Sequence, residues 1–344
     1  MQPTLLEEVL DSSTSIKRLR EIARDITTPA ECLYELFELY PYHSCILIGV
    51  AQNPNTPRKI LQQLFRRFPN QVINNCVIDL LVLENQNFIS RLCETYCDVF
   101  RYKELQLDFL EQIIKNNYYW VNEKIAQGKY TPGSILEKLA QSKSDIIRCR
   151  VAENKNTCSS TLESLAKDDI TEVRCRVARN FNTPVHVLEL LAKDGKQTIR
   201  ALVAGNQNTS EHILELLGRD KKSVKVRRAV AENRKSPSHI LENLASDKCD
   251  KVRVFLAGNT NTPVSILEQL PHDEVIRVRI IAAQNNKMPV DSLDNLAQDK
   301  DEKVRLAVAH NISCYVNTLK QLIQDENQTI RYVAKQNLEN RFKL

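Results

Sequence analysis

The sequence predicts an all-α chain built as a solenoid of two-helix repeats, and three observations carry that expectation. The segment ARNFNTPVHVLELLAKD at 178–194 returns as AGNTNTPVSILEQLPHD at 257–273. An asparagine recurs in register at Asn154, Asn180, Asn206, Asn233, Asn259, Asn285 and Asn311, spaced 26 residues apart and once 27. Within each unit the apolar residues form two helical patterns, as in Val173, Val177 and Ala178 followed by Val187, Leu188, Leu191 and Ala192. A fixed period of this length marks stacked units, each too small to bury its own apolar face.

Along the chain the register begins loosely. IARDITTPAECLYEL at 22–36 and GVAQNPNTPRKILQQL at 49–64, centred on Asn53, are early copies, while NNCVIDLL at 74–81 is degenerate. No copy can be placed between 82 and 127. From Gly128, which stands in the asparagine column, the array runs regularly to Asn337. The expected organisation is irregular helical repeats or a cap over 1–127, then a regular array over 128–344.

Each unit carries its own punctuation. Thr183 with Pro184 and Thr262 with Pro263, like Thr56–Pro57, Thr131–Pro132 and Ser236–Pro237, read as an N-cap hydroxyl followed by a proline in the first turn of the second helix. A missing N–H costs nothing there. The asparagine after each VA segment reads as a left-handed residue that stops the first helix, and Gly128 in its column fits, because Gly and Asn tolerate positive φ.

Two charged columns accompany the asparagines. Arg148, Arg174, Arg200, Arg227, Arg253, Arg279, Arg305 and Arg331 stand six residues before them. Asp168, Asp194, Asp220, Asp247, Asp273, Asp299 and Asp325 precede the arginines by six or seven. Each arginine therefore has a carboxylate in its own unit or the next. Guanidinium forks bind carboxylates in pairs of hydrogen bonds, so the columns read as a structural ladder between stacked units rather than a row of phosphate contacts.

The pattern VRCRVARNFNTPVHVLELLAKD at 173–194 resembles the leucine-rich repeat variant family, whose units are closer to helical HEAT and armadillo repeats than to true leucine-rich repeats. The resemblance covers 128–337 well and the first 90 residues patchily. It implies a right-handed superhelix of alternating α and short 3₁₀ or α segments. The unit here is longer than the family's, which leaves the second segment open between 3₁₀ and α-helix. The resemblance implies no activity. One described member carries an iron–sulfur cluster on N-terminal cysteines, so Cys32, Cys45, Cys76, Cys93 and Cys97 bear on a metal-carrying alternative. Only Cys93 and Cys97 are close in sequence, and there is no CxxC step, so no metal or cofactor is expected.

Composition narrows the function. With 42% hydrophobic and 26% charged residues, and no apolar run of membrane length, a cytoplasmic protein without membrane attachment is expected. MQPTLLEEVL carries acids where a secretory signal would carry bases, and the ten cysteines then read as reduced thiols. His186, His212 and His239 share a column, but neighbours a helix-packing distance apart cannot share one metal. GxSxG, HExxH and phosphate-cradling glycine loops are missing, and repetition sets identical groups in a row where an active site needs different groups converging. The chain is therefore not expected to be an enzyme. A HEAT-like DNA glycosylase with a pocket around Trp120 is the catalytic alternative.

What breaks the repetition points to partners. Residues 1–127 hold 13 bases and 16 acids, a net of −3, and the remainder 35 and 27, a net of +8. RDKKSVKVRRAVAENRK at 219–235 concentrates that charge and holds the one extra residue of the array. Outside the ladder it offers Arg219, Lys221, Lys222, Lys225, Arg228, Arg234 and Lys235, with Arg150, Arg176 and Arg179 upstream. The first reading is a non-catalytic scaffold that binds another protein; the second is DNA or RNA binding through this basic zone. The first 127 residues hold seven of ten tyrosines, six of nine phenylalanines and the single tryptophan, densest at NNYYWVNEKI, 116–125. Trp120 is expected to pack into an irregular cap or the junction to the array, with an anchor for a partner as the alternative.

Overall fold

The computed structural model describes residues 4–84, 88–115 and 118–342, and helices follow one another there with no strand among the described residues. Asn116 and Asn117 of the aromatic segment lie outside them. The chain divides into two compact units, Met1–Thr161 and Leu162–Leu344; the compositional boundary at 127/128 falls inside the first.

In the second unit, the first helices of successive repeats pack each on the next: Thr171–Arg179, Gln197–Gly205, Val224–Glu232, Asp250–Gly258, Ile276–Gln284, Glu302–His310 and Gln328–Phe342. The second helices Val185–Leu191, Glu211–Gly218, Ser238–Ala245, Val290–Leu296 and Val316–Leu322 each lie against the first helix of the following repeat. Val173, Val177, Val187, Leu188 and Leu191, with their equivalents, make a continuous buried core between the two layers. Each buried aliphatic side chain contributes about 1.5–3 kcal/mol, and only stacking makes that burial complete. The architecture is an all-α repeat solenoid.

The second segment, left open by sequence, is α-helical. One repeat departs: Val264–Leu267 is followed by a 3₁₀ turn at Leu270–His272. In other repeats the equivalent residue donates its N–H to the helix, as Ala192 does to Leu188 O at 2.8 Å and Ile323 to Leu319 O at 3.0 Å. Pro271 has no N–H to give, so the last turn tightens instead.

Two local expectations are corrected. The asparagines do stand at the C-caps, but in extended and not left-handed backbone, with φ −71° and ψ 123° at Asn233 and φ −75° and ψ 123° at Asn259. Their side chains reach across repeats instead. The Nδ2 of Asn206 donates to Ala178 O and Asn180 O at 2.8 and 3.1 Å, and Asn259 to Ala231 O and Asn233 O at 2.7 and 3.0 Å. Asn233, Asn285, Asn311 and Asn337 repeat the arrangement. Except at Asn337, inside the last helix, where Arg341 Nε is the donor, the Oδ1 accepts its own turn's N–H two residues on, as from Asn208 and Asn261. The last carbonyls of a helix have no internal partner, and the neighbouring repeat supplies the donors.

The threonines are likewise not N-caps. Pro184, Pro237 and Pro263 hold that position without a side-chain cap. The preceding hydroxyl turns back and donates to the helix it follows: Thr183 to Val177 O at 2.6 Å, Ser236 to Val230 O at 2.6 Å, Thr262 to Leu256 O at 2.7 Å.

The first unit repeats the logic less regularly. Ile16–Arg24 packs on Ser44–Gln52, which packs on Pro69–Ile73; Val99–Tyr102 packs on Tyr119–Gln127, which packs on Asp145–Glu153. Asn53 bonds Ala23 O and Asp25 O, and Asn75 bonds Ala51 O and Asn53 O at 3.0 and 2.8 Å. Asn75 is thus a full column member. It escaped the sequence register because this repeat is short. Gly128 stands in the column for space, not for positive φ: its φ is −63°, and an added Cβ would collide with Phe100 O and Thr131 Oγ1. Trp120 does not fill a cap core. It is 67% exposed and meets Tyr119 edge-on with ring centroids 4.9 Å apart, while Val121, Ile125 and Ala126 of the same helix are buried.

Asn259→Ala removes the side-chain donor from the buried Ala231 carbonyl and leaves the Asn233 carbonyl with only the Ser236 N–H, and lowers unfolding stability by about 1–3 kcal/mol in urea titration. Asn259→Asp, the same size without the two donors, is at least as destabilising at pH 7. Gly128→Ala costs about 1–3 kcal/mol through overpacking, whereas Gly205→Ala, with nothing within 4 Å of the added Cβ, leaves the urea midpoint unchanged or raises it.

Candidate partner-binding face

Each first helix of the second unit has two ends and one open side. At its N-terminal edge, the turn from the preceding second helix holds the aspartate. The Asp Oδ1 accepts the N–H two residues on at 2.8–2.9 Å, which closes the turn in the manner typical of Asx residues. The carboxylate then faces the arginine of the preceding repeat. Nε donates to Oδ2 at 2.6–2.9 Å in Arg174–Asp194, Arg200–Asp220, Arg227–Asp247, Arg253–Asp273, Arg279–Asp299 and Arg305–Asp325. Nη1 of the same arginine donates to the backbone O of its own repeat's aspartate at 2.7–2.9 Å. One guanidinium therefore clamps two successive turns. Arg331 Nη1 makes the own-turn contact with Asp325 O, and in the first unit Arg148 Nη1 makes it with Ser142 O.

These groups are shielded. Arg227 and Asp247 expose 17% and 7% of their side chains, Arg305 and Asp325 10% and 6%. Burial pushes the carboxyls up, but the arginine and the turn N–H outweigh it, holding Asp194, Asp220, Asp247, Asp299 and Asp325 below the usual carboxylate range. The aspartate bond in turn raises Arg174, Arg227, Arg253, Arg279 and Arg305. The extra residue of the 27-residue unit sits in the Asp220 turn, where Ser223 adds a second N–H to Asp220 at 3.0 Å, and the clamp survives.

The basic stretch 219–235 does not converge on one patch. Arg219, Lys221 and Lys222 lie at the aspartate edge of Val224–Glu232, and Arg234 and Lys235 in the turn at its other end. Nine residues of helix, about 13 Å, separate the two groups. Lys225 and Arg228 line the open side between them, and Arg228 lies over the Phe255 ring at 4.9 Å. Of the upstream arginines, Arg150 bonds Glu123 and Glu153 at 3.2 Å and Arg176 bonds Glu172 at 2.6 Å. Arg179 remains exposed.

The open side contains a trough that sequence reading missed. It encloses about 570 Å³ over three successive first helices. Ala201, Leu202, Gly205 and Ala229 form its floor, and Phe181, 61% exposed, flanks it. Arg179, Lys225 and Arg228 stand on its rim, with the Glu232 carboxylate among them. A second hollow of about 620 Å³ shares Gly205, Ala229 and Glu232 and continues toward Arg234 and Lys235. The signal available in sequence was the small residues at variable positions: Ala229 stands where other repeats carry Phe255 and Ile281, and Gly205 where they carry Arg179 and Gln284.

The metal-ligating side chains are dispersed among the described residues. No three His, Cys, Asp or Glu side chains stand close enough to hold a metal. Cys93 is buried and its thiol is pushed up by that burial, and Cys97 is half-buried. His186 and His239 lie at the surface, 3.5 and 3.4 Å from Glu163 and Glu215 of the preceding second helix.

No family model matches the chain, and no curated protein does. Among solved structures, the chain is similar to a leucine-rich repeat variant described as having a novel repetitive structural motif, at 22% identity over 63% of this chain and 86% of that one, with a TM-score of 0.48. It also matches an engineered protein at 14% identity over 99% of both chains, TM-score 0.25, and a second at 15% over 94% and 97%, TM-score 0.12.

The aspartates' lowered folded-state values set a pH dependence. Their contribution is fully present above the unfolded carboxyl value of about 3.9 and is lost as pH falls through the lower folded values. The urea midpoint is therefore flat from about pH 5 to 7 and drops below about pH 4. Asp247→Ala, which strands the shielded Arg227, costs about 2–4 kcal/mol at pH 7 and flattens that acid limb.

Proposed function

We propose that the chain is a non-catalytic binding scaffold whose open first-helix side receives another protein. The supporting observation is a division of labour along each repeat. The asparagine and arginine–aspartate columns are occupied within the array, whereas the residues that vary between repeats lie on the open side and include an apolar trough with a charged rim. A curved array that presents different side chains at each repeat is the physical means by which repeat proteins acquire specificity. Compartment and partner identity belong to the same proposal: a cytoplasmic protein that uses no cofactor. Among the described residues no helix is long and apolar enough to cross a membrane.

Nucleic acid is the competing ligand class. Against it stand the dispersal of the 219–235 cations over two edges and a helix face, and the carboxylates that already hold Arg150 and Arg176. The deciding measurement is affinity capture from native lysate with and without nuclease. The same proteins are recovered after nuclease treatment if the scaffold reading holds. Bound material that disappears with nuclease, together with binding to a DNA or RNA duplex that falls steeply with salt and is relieved by reversing Lys221, Lys222 and Arg228, replaces it with the nucleic-acid reading.

A further inference from the structure

We infer that the trough over Thr171–Arg179, Gln197–Gly205 and Val224–Glu232 is a docking site for an extended acidic peptide segment bearing a large apolar side chain. The inference rests on the scaffold reading and adds the site and the chemistry of its occupant. Shape comes first. Ala201, Gly205 and Ala229 leave a concavity where bulkier residues fill the same columns elsewhere, so an apolar side chain seated on Leu202 and beside Phe181 is removed from water. First helices 8–10 Å apart make three of them span about 16–20 Å, the length of five or six residues of extended chain.

Charge selects the sign of the segment. Arg179, Lys225 and Arg228 border the trough, Arg234 and Lys235 border its continuation, and Glu232 is the single carboxylate lining either part. Among the described residues none of the five cations has a carboxylate within ion-pair distance, in contrast to the ladder arginines. Arg228 is also held in place by the Phe255 ring, so its guanidinium is ordered before a carboxylate arrives. A basic segment meets five like charges, and a neutral one leaves them without partners. Single-stranded RNA would share the cations and the exposed aromatic, but its backbone would carry phosphates past Glu232 above an apolar floor. Recognition falls to the segment's side chains, because the Nδ2 groups of Asn206 and Asn233 are already committed to carbonyls of the preceding repeat.

The test uses the full chain and a displayed library of random peptides about twelve residues long, twice the span of the trough. Selection on the wild-type protein, with counter-selection on Gly205→Phe, is expected to enrich Asp and Glu around one large apolar residue. Gly205 is suited to the block because a Cβ there meets nothing within 4 Å, so the added ring enters the trough and not the core. A selected peptide, labelled and followed by fluorescence anisotropy, binds roughly tenfold or more weakly to Gly205→Phe and, independently, to Arg228→Glu and Lys225→Glu, with thermal unfolding of each variant unchanged. Basic or neutral winners, no enrichment, or acidic winners indifferent to all three substitutions overturn the assignment. So does oligo-uridine binding that is tighter than the peptides' and is lost in the same variants. Nuclease-resistant capture that survives Gly205→Phe would leave the scaffold reading standing while removing the trough from it; loss of capture on nuclease would remove both.

Discussion

The interaction on which this structure depends is the satisfaction of carbonyls at the ends of short helices. A nine-residue helix leaves its last four C=O groups without internal partners, nearly half of its acceptors. In an isolated helix water would serve them. Here the next repeat stacks over the helix end, and the chain must provide the donors itself. The threonine hydroxyl closes one carbonyl from within the repeat, and the asparagine of the following repeat closes a second and adds a donor to the carbonyl of the C-cap asparagine. Only a carboxamide of this length offers two N–H groups together with an acceptor for its own turn, which is why the column is asparagine and why the left-handed glycine common at helix ends is not needed.

The opposite edge solves the corresponding problem with charge. An aspartate that closes its own turn retains an oxygen for the arginine of the preceding repeat, and that arginine also holds the previous turn's backbone. Both edges thus join each repeat to its neighbour through groups whose bonding is completed only when the neighbour is present. Stability in such an array is a sum of weak units and strong interfaces, so the loss of one clamp is felt first at the adjoining repeats.

This arrangement determines where recognition can occur. The side chains that define the repeat are turned inward or along the edges, and the open side is released from structural duty. Variation there alters shape without disturbing stacking. The trough arises in this way, from Ala201, Gly205 and Ala229 replacing larger residues in columns whose backbone is unchanged, and the cations that border it stand outside the ladder because the ladder's aspartates are already engaged.

The sequence by itself determined the all-α repeat architecture, the period and the two helices per unit, because periodic apolar spacing is local in the chain; it left open whether each arginine meets the aspartate of its own unit or of the next. It did not determine what the asparagines and threonines do: their partners lie in another repeat or in the preceding helix, and a cap residue looks the same in sequence whichever way its side chain turns. Asn75 and Gly128 show the same limit, one hidden by a shortened repeat and the other selected by the Phe100 carbonyl beside it. Stacking alone decided which cations of 219–235 share a surface and which small residues adjoin, since residues 26 apart in the chain become neighbours only when one first helix lies on the next.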